Sequence, residues 1–257
     1  MKQYKGYLID LDGTMYRGSE VIEGAKEFVE AVRSSGSPYL FLTNNSSKTK
    51  EDVAAHLNRM GIENEPKNIF TSSMAAAKYI KHRKANARCY VIGGEGLFDA
   101  IKKEGMTIVP DEKCDFVVFG LDYNITYEKY AKACLAIRNG ATFISTNSDN
   151  AIPTERGLLP GNGALTSVIT VSTNQDPVFI GKPEPTIMNE ALTVLGTNKE
   201  ETLKVGDNYN TDIKAGINSG VDTLMVFTGV TPFKMYSSLE IKPTYHVQNL
   251  REWIPNI

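Results

Sequence analysis

Two aspartates separated by one residue follow the first apolar segment of the chain. Asp10 and Asp12 come directly after the apolar run 6–9, and Gly13, which permits a sharp turn, follows them. Side chains two residues apart on a strand project to the same face. Both carboxylates are therefore expected at the carboxyl end of a strand, where open α/β sheets bind ligands. A turn whose aspartates bond their own backbone explains the same pattern equally well.

A cluster of hydroxyl and amide side chains follows the second apolar run. Thr43, Asn44 and Asn45 come after residues 38–42 and precede a predicted helix at 48–60. The N-terminus of such a helix offers free N–H groups and a partial positive charge to an anion. The cluster therefore indicates an anion site. Capping of the helix by the hydroxyls is the ordinary alternative, and the two roles are compatible.

Two later apolar runs also end in charged residues. Lys182 follows the run 177–181, and Asp207 follows the run 203–206, with Asp212 five residues further on. Taken alone, the lysine could be solvated and Asp212 could cap a helix. Coincidence is a poor explanation for all four strand ends together, so we expect them to meet in one site.

The residue types at these strand ends suit chemistry on a phosphate ester. Carboxylates brought together repel, and two charges ~5 Å apart cost about 3 kcal/mol at an effective dielectric near 20. Lys182 and a divalent cation would offset that repulsion, and oxygen ligands without His or Cys favour Mg²⁺. One carboxylate can attack phosphorus to form an aspartyl-phosphate. A second can protonate the leaving alkoxide and then accept a proton from water.

The four motifs, in this order, resemble those of haloacid dehalogenase-type phosphatases, and the first two resemble the NagD-like branch with an inserted C2-type cap. The resemblance covers nearly the whole chain. It implies that Asp10 is the nucleophile and a Mg²⁺ ligand. It also implies that Asp12 is the general acid and base and binds the metal through its backbone carbonyl.

The resemblance also implies roles for the remaining site residues. Phosphate binding falls to four of them, namely Thr43, Asn44, Asn45 and Lys182. Asp207 would complete the Mg²⁺ ligands, and Asp212 would support the site from behind. The family's last motif commonly reads Gly-Asp-Arg, whereas Asp207 is followed here by Asn208, which keeps the metal ligand but not the arginine.

Short apolar runs alternate with amphipathic stretches along almost the whole chain, which predicts an α/β fold with a mostly parallel sheet. The resemblance implies a Rossmann-like core made of residues 1–85 and 177–257, with an α/β cap inserted at 86–176. Asn147 and Asp149 lie in a stretch similar to cap segments near the active site. Turn chemistry explains that stretch as well, so their contact with substrate is left open.

Composition excludes several classes of protein. The 257 residues carry 28 Lys+Arg against 30 Asp+Glu, and without a basic cluster neither a nucleic-acid partner nor a membrane surface is expected. The apolar runs fall short of the roughly 20 residues that span a bilayer. The first residues show no signal-peptide pattern, and the three cysteines have neither disulfide nor zinc spacing. A cytoplasmic protein is therefore expected, and a homo-oligomer is allowed.

The predicted partner is a small phosphorylated metabolite, such as a sugar or acid-sugar phosphate, a phosphoglycolate-like compound or a nucleotide. A phosphomutase or phosphotransferase would use every group named above and stays open. A non-catalytic phosphometabolite-binding protein would have little reason to keep both Asp10 and Asp12. A phospho-accepting receiver module needs about half this length, and a haloacid dehalogenase needs neither the acid nor Mg²⁺.

Overall fold

The computed structural model describes residues 2–154 and 156–257. The strands are β1 Gly6–Ile9, β2 Tyr16–Arg17, β3 Glu20–Val21, β4 Tyr39–Thr43, β5 Ile69–Thr71, β6 Arg88–Ile92, β7 Thr107–Ile108, β8 Phe116–Phe119, β9 Thr142–Ser145, β10 Ala151–Thr154, β11 Gly157–Pro160, β12 Val178–Phe179, β13 Thr202–Gly206, β14 Asp222–Val226 and β15 Tyr245–Val247. The α-helices are α1 Ala25–Ser34, α2 Lys50–Arg59, α3 Ser72–Arg83, α4 Glu95–Lys103, α5 Tyr127–Arg138, α6 Asn162–Thr173, α7 Pro185–Leu195 and α8 Lys214–Ser219.

One compact unit comprises residues 2–43, 50–70 and 182–257. Its sheet has six strands in the order β15-β14-β13-β1-β4-β5. Strand β1 pairs in parallel with β4 on one side and with β13 on the other. The chain first builds outward from β1 through β4 and β5, and later through β13, β14 and β15. The order therefore reverses between β1 and β13, and such switch points are where open α/β sheets bind ligands.

The core of this unit is formed by buried strands and by the apolar faces of helices. Every residue of β1 is buried, as expected for a central parallel strand covered on both faces. Helix α1 buries Ala25, Phe28, Val29 and Val32, which lie on one face because their spacing follows the helical period. The Phe28 ring meets Tyr7 of β1 edge to face, with centroids 6.2 Å apart. The core thus fixes β1, whose end carries Asp10.

A second compact unit comprises residues 44–49 and 71–181. Its five strands follow the order β12-β9-β8-β6-β7, and all their pairings are parallel. Strands β10 and β11 form a separate antiparallel hairpin. Helices α5 and α6 pack on each other and on this sheet, as do α3 and α4 on each other. The predicted α/β class with mostly parallel sheets is confirmed for both units.

The two units differ in extent from the segments expected from the sequence. Residues 71–85 lie in the second unit because α3 packs on α4. Residues 177–181 lie there because β12 pairs with β9. Residues 44–49 join it through contacts such as the Gly96 N–H donating to the Ser47 carbonyl, 3.0 Å. The division into a core of 1–85 and 177–257 and a cap of 86–176 stays a prediction.

Local structure departs from expectation near Asp212. The helix near Asp212 begins with a π-helical turn, Tyr209–Ile213, and only then becomes α8. Asp212 lies inside this turn rather than capping a helix. Across the described part of the chain, no helix combines the length and apolar character required to span a membrane.

Candidate active site

Three aspartates meet at the switch point between β1 and β13. The Asp10 N–H donates to the Val205 carbonyl, 2.9 Å, and so extends the parallel pairing by one residue beyond β1. Asp207 follows β13 directly, and Asp212 follows on the π-helical turn. One carboxylate oxygen from each lies within 4.8 Å of the others, and all three residues are buried. The predicted meeting of Asp10, Asp207 and Asp212 is thus seen in the structure.

Both oxygens of Asp207 are held by neighbouring loops. Thr14 Oγ1 donates to Oδ1, 2.9 Å, and the Val230 N–H donates to Oδ2, 2.7 Å. Gly13 has φ +87°, and a Cβ there would collide with the Asp207 carboxylate. A glycine is therefore required at this turn both for its backbone conformation and for space. Sequence reasoning found the glycine but missed Thr14 and Val230 as the donors to this carboxylate.

Lys182 joins two of the aspartates. Its Nζ donates to Asp10 Oδ1, to Asp212 Oδ1 at 2.8 Å and to the Leu42 carbonyl at 3.1 Å. The residue is almost fully buried, with 3% of its surface exposed. The strand before Lys182, β12, pairs with β9 and so belongs to the other sheet. Its side chain nevertheless reaches the predicted partners.

A second lysine, which sequence reasoning missed, contacts the same cluster. Lys204 is wholly buried within β13, and its Nζ donates to Asp212 Oδ1 and to the Val205 carbonyl, both at 2.8 Å. Lysine is almost never fully buried unless it is paired. A lysine between Leu203 and Val205 in an apolar strand was the available signal, since it requires a buried acidic partner.

Burial, and repulsion between the carboxylates, shift the pKa values of the buried groups in the site. Burial first, and then the neighbouring carboxylates, raises the pKa of Asp10 above its ordinary value and that of Asp207 to about 7. Burial would also raise the pKa of Asp212, but Lys182 and Lys204 outweigh it and hold that pKa below its ordinary value. Burial would lower the pKa of Lys182, whereas Asp10 and Asp212 outweigh this and raise it, so Lys182 stays charged.

Asp12 is placed differently from Asp10. Strand β1 ends at Ile9, so the turn, not strand alternation, sets the direction of Asp12, which is exposed while Asp10 is buried. The turn is built by the Leu11 carbonyl, which accepts N–H groups of three following residues. Partial burial of its carboxyl group raises the pKa of Asp12, and the charge of Lys182 opposes that rise. A raised pKa suits a carboxylic acid that must donate a proton near neutral pH.

The predicted phosphate-binding residues 43–45 divide between the units. Thr43 is the last residue of β4 and is half-buried. Asn45 is exposed, and its Oδ1 accepts the N–H groups of Ser47 and Lys48, both at 3.0 Å, ahead of α2. These two bonds form a turn ahead of α2, and capping of that helix by the neighbouring hydroxyls stays a prediction. Phosphate binding by Thr43 and Asn45 stays a prediction.

Asn44 is held in place by the second unit, to which it belongs. Its carbonyl accepts Ser72 Oγ and Asn147 Nδ2, both at 2.8 Å, and its Nδ2 lies 3.3 Å from each carboxylate oxygen of Asp149. Asn147 and Asp149 therefore contact Asn44 in this structure. Their contact with substrate, like phosphate binding by Asn44, stays a prediction.

Family comparison agrees with this arrangement. Residues 7–107 match the family described as haloacid dehalogenase-like hydrolase, and residues 179–253 match a second model for HAD-like hydrolases. The matched regions contain the three buried aspartates, Asp12, residues 43–45 and both buried lysines.

Whole-chain comparisons give the same result. The chain is 60% identical to the 5'-nucleotidase YutF of Bacillus subtilis (strain 168), covering 100% of each. It is 52% identical to the acid sugar phosphatase of Staphylococcus aureus (strain USA300), covering 100% of this chain and 99% of the relative. A crystal structure of a double mutant of the thermostable NPPase from Geobacillus stearothermophilus is 53% identical, with TM-score 0.93 and coverage of 98% and 99%.

These similarities extend over the full length of the chain at more than half identity. The chain therefore belongs to the haloacid dehalogenase-like hydrolase family, within its NagD-like phosphatases. The prediction of a phosphoric monoester hydrolase is confirmed at the level of enzyme class.

Proposed function

We propose that this phosphatase hydrolyses small phosphomonoesters in a Mg²⁺-dependent reaction through an aspartyl-phosphate on Asp10. The proposed substrates are sugar or acid-sugar phosphates, phosphoglycolate-like compounds and nucleotides. The names of the two similar enzymes, a 5'-nucleotidase and an acid sugar phosphatase, support the first and last of these classes. The observation that carries the mechanism is the buried contact of Lys182 with Asp10 beside two further carboxylates.

Asp10 would act as the nucleophile. Its carboxylate oxygen attacks phosphorus, an oxygen–phosphorus bond forms, and the bond from phosphorus to the ester oxygen breaks. Lys182 holds Asp10 in a fixed orientation and places a positive charge where charge develops on the phosphoryl oxygens, so reorganisation is small.

Asp12 would supply and recover the proton. Its protonated carboxyl donates to the leaving alkoxide, which departs as the alcohol. The resulting carboxylate then takes a proton from water as that water attacks phosphorus, and inorganic phosphate and the Asp10 carboxylate are released. The exposure of Asp12 beside the buried Asp10 suits a group that must meet both the leaving alcohol and water.

The donor set fits a hard divalent cation. Asp10 and Asp207 offer carboxylate oxygens, and the main-chain carbonyl of Asp12 would add a third ligand. Asp212 Oδ1 accepts hydrogen bonds from two lysine ammonium groups, and its Oδ2 accepts the Asn208 N–H at 3.3 Å. These bonds suit a residue that supports the site without binding the cation. Oxygen-only ligands favour Mg²⁺. A bound ion would offset the repulsion among these carboxylates and the charge of the phosphate.

The test is phosphate release from a panel of sugar phosphates, sugar-acid phosphates, phosphoglycolate and nucleoside monophosphates, with Mg²⁺ or with EDTA. Wild type is compared with Asp10→Asn, which keeps the shape but loses the nucleophile, and with Asp222→Asn as a matched control on the same sheet. We expect Mg²⁺-dependent release that falls at least about 1,000-fold in Asp10→Asn and is retained in Asp222→Asn. Release that survives Asp10→Asn would overturn the aspartyl-phosphate route.

Asp12→Asn separates the two proton transfers. With p-nitrophenyl phosphate, whose leaving group needs little protonation, the first step should persist while the second slows. We therefore expect a burst of up to one equivalent of nitrophenol per site, followed by slow turnover. With a sugar phosphate no burst of alcohol is expected. Equal slowing with both substrates and no burst would contradict the role given to Asp12.

A further inference from the structure

A wholly buried lysine lies beside the site and has no role in the mechanism above. Lys204 is in the middle of β13, between two apolar residues, with 0% of its surface exposed. Burying an ammonium group costs several kcal/mol unless it is paired and hydrogen-bonded. The fold places it within reach of Asp212 Oδ1 and of the Val205 carbonyl, both at 2.8 Å.

Asp212 is shared between two lysines. The same oxygen, Oδ1, accepts from Lys182 and from Lys204, each at 2.8 Å. Lys182 also contacts Asp10, so the chain of contacts runs from Lys204 through Asp212 and Lys182 to Asp10. With Lys204 present, Asp212 has a partner of its own. Lys182 is then not required to neutralise two carboxylates alone.

The charge of the buried cluster depends on this second lysine. When all five groups are ionised, Asp10, Asp207 and Asp212 together with Lys182 and Lys204 carry one net negative charge. Without Lys204 the cluster would carry two. A more negative site attracts a divalent cation more strongly and a phosphate dianion less strongly.

We propose that Lys204 is a positioning residue that holds Asp212 in place and sets the balance between cation and phosphate binding in this site. It keeps the Lys182 ammonium directed at Asp10, where the phosphoryl group arrives. The inference rests on the proposed function, because it takes the cation and the phosphate to bind at this cluster.

The test is Lys204→Met, which removes the charge and keeps most of the side-chain volume. Binding of Mg²⁺ alone, and of inorganic phosphate in saturating Mg²⁺, is measured by calorimetry. We expect Mg²⁺ to bind roughly ten-fold more tightly and phosphate roughly ten-fold more weakly than in wild type. General damage to the site would weaken both, so the opposite signs separate positioning from structural loss. In turnover, KM should rise more than kcat falls.

Two further variants complete the experiment. Lys199→Met removes an exposed lysine from the same unit and should leave both affinities unchanged. Lys204→Met combined with Asp212→Asn removes one charge of each sign, so its Mg²⁺ affinity should return towards that of wild type. If Lys204→Met alone does not fold, the double variant compared with Asp212→Asn alone measures the same charge effect.

The outcomes distinguish the two proposals. If wild type binds neither Mg²⁺ nor phosphate, the proposed function fails. If wild type binds both and Lys204→Met changes neither affinity, or weakens both together, the inference about Lys204 is wrong while the proposed function stands.

Discussion

The buried carboxylates of the site are held by donors from several parts of the chain. Asp207 is held by Thr14 and by the main chain of Val230, whereas Asp212 is held by two lysines. Buried charges are tolerated only when such partners are present. Single substitutions among the donors should therefore lower the stability of the fold as well as alter the site, because each leaves a buried charge without a partner.

Gly229 allows a direct test of how closely the loop that carries it packs against the Asp207 carboxylate. A Cβ on Gly229 would collide with the carboxylate of Asp207. We expect Gly229→Ala to displace that carboxylate, to raise the Mg²⁺ concentration required for half-maximal activity, and to lower kcat/KM by at least about ten-fold. Steady-state kinetics over a Mg²⁺ series check this.

Gly36→Ala is the matched control for Gly229→Ala. Gly36 has φ +76° and open space around its Cα, so alanine there should cost about 1 kcal/mol of stability through backbone strain. The kinetic constants should not change. If Gly229→Ala behaved like Gly36→Ala, with lower stability and normal Mg²⁺ dependence, the close approach to Asp207 would have no functional importance.

The cysteines provide a second prediction at this scale. Burial raises the pKa of the Cys89 thiol to about 12, so very little reactive thiolate exists at pH 8. Cys114 is half-buried, and burial also raises its pKa. We expect iodoacetamide at pH 8 to label Cys114 before Cys89, both slowly, and activity to survive the labelling. Mass spectrometry of digests, with a urea-unfolded sample as control, gives the order. Rapid labelling of Cys89 would contradict its burial.

At the scale of elements, the sequence predicted most of the strands that carry the site. Strands β1, β4 and β13 are apolar runs followed at once by polar residues, so Asp10, Thr43 and Asp207 could be placed at strand ends. The neighbourhood of these strands in one sheet followed from the family resemblance. It could not come from periodicity, which says nothing of strand order.

Other elements were beyond sequence reasoning for physical reasons. The pairing of β12 with β9 is a contact between distant segments, so the run 177–181 alone could not reveal its sheet. The π-helical turn at Tyr209–Ile213 differs from an α-helix in that its hydrogen bonds span five residues instead of four, which leaves no periodic signal over so short a stretch. Lys204 stood out as a lysine within an apolar run, but the sequence alone did not show that Asp212 is its partner.

The side chain of Asp115 links two neighbouring strands of the second sheet, β6 and β8. It precedes β8, and its carboxylate accepts the N–H of Arg88 in β6 at 2.7 Å and Lys84 Nζ at 2.7 Å. These bonds, the backbone one first, lower the pKa of Asp115. Because its folded pKa lies below the unfolded value near 3.9, the stabilisation is complete above the unfolded value and is lost as pH falls from there through the folded pKa.

We therefore expect Asp115→Asn to lower the stability by about 1 kcal/mol at pH 7 and by less at pH 3.5. Melting temperatures of wild type and variant at the two pH values measure this difference. Asp99→Asn, which removes a surface pair with Lys103 on α4, is the control and should cost less than about 0.5 kcal/mol. A deficit for Asp115→Asn that stayed constant or grew on acidification would contradict the assigned pKa direction.

At the scale of the whole molecule, the groups that would hold the cation belong to one of the two compact units. Asp10, Asp207, Asp212 and both buried lysines lie in the unit built on the six-stranded sheet. The second unit has its own parallel sheet and its own apolar core around Phe119 and Ile137. A ligand that binds the cluster should stabilise the first sheet directly.

Hydrogen exchange can resolve this difference between the sheets. A ligand at about 100 times its Kd adds roughly 2.7 kcal/mol to the stability of the unit that binds it. The exchange rates of amides that exchange only when that unit opens should then fall about 100-fold. With Mg²⁺ and inorganic phosphate we expect such slowing in peptides covering β1 and β13, and much less in peptides covering β8. Asp207→Asn should lose the slowing in β1 and β13. Equal slowing of both sheets in wild type would show instead that the two units open as one, because ligand binding would then stabilise every buried amide alike.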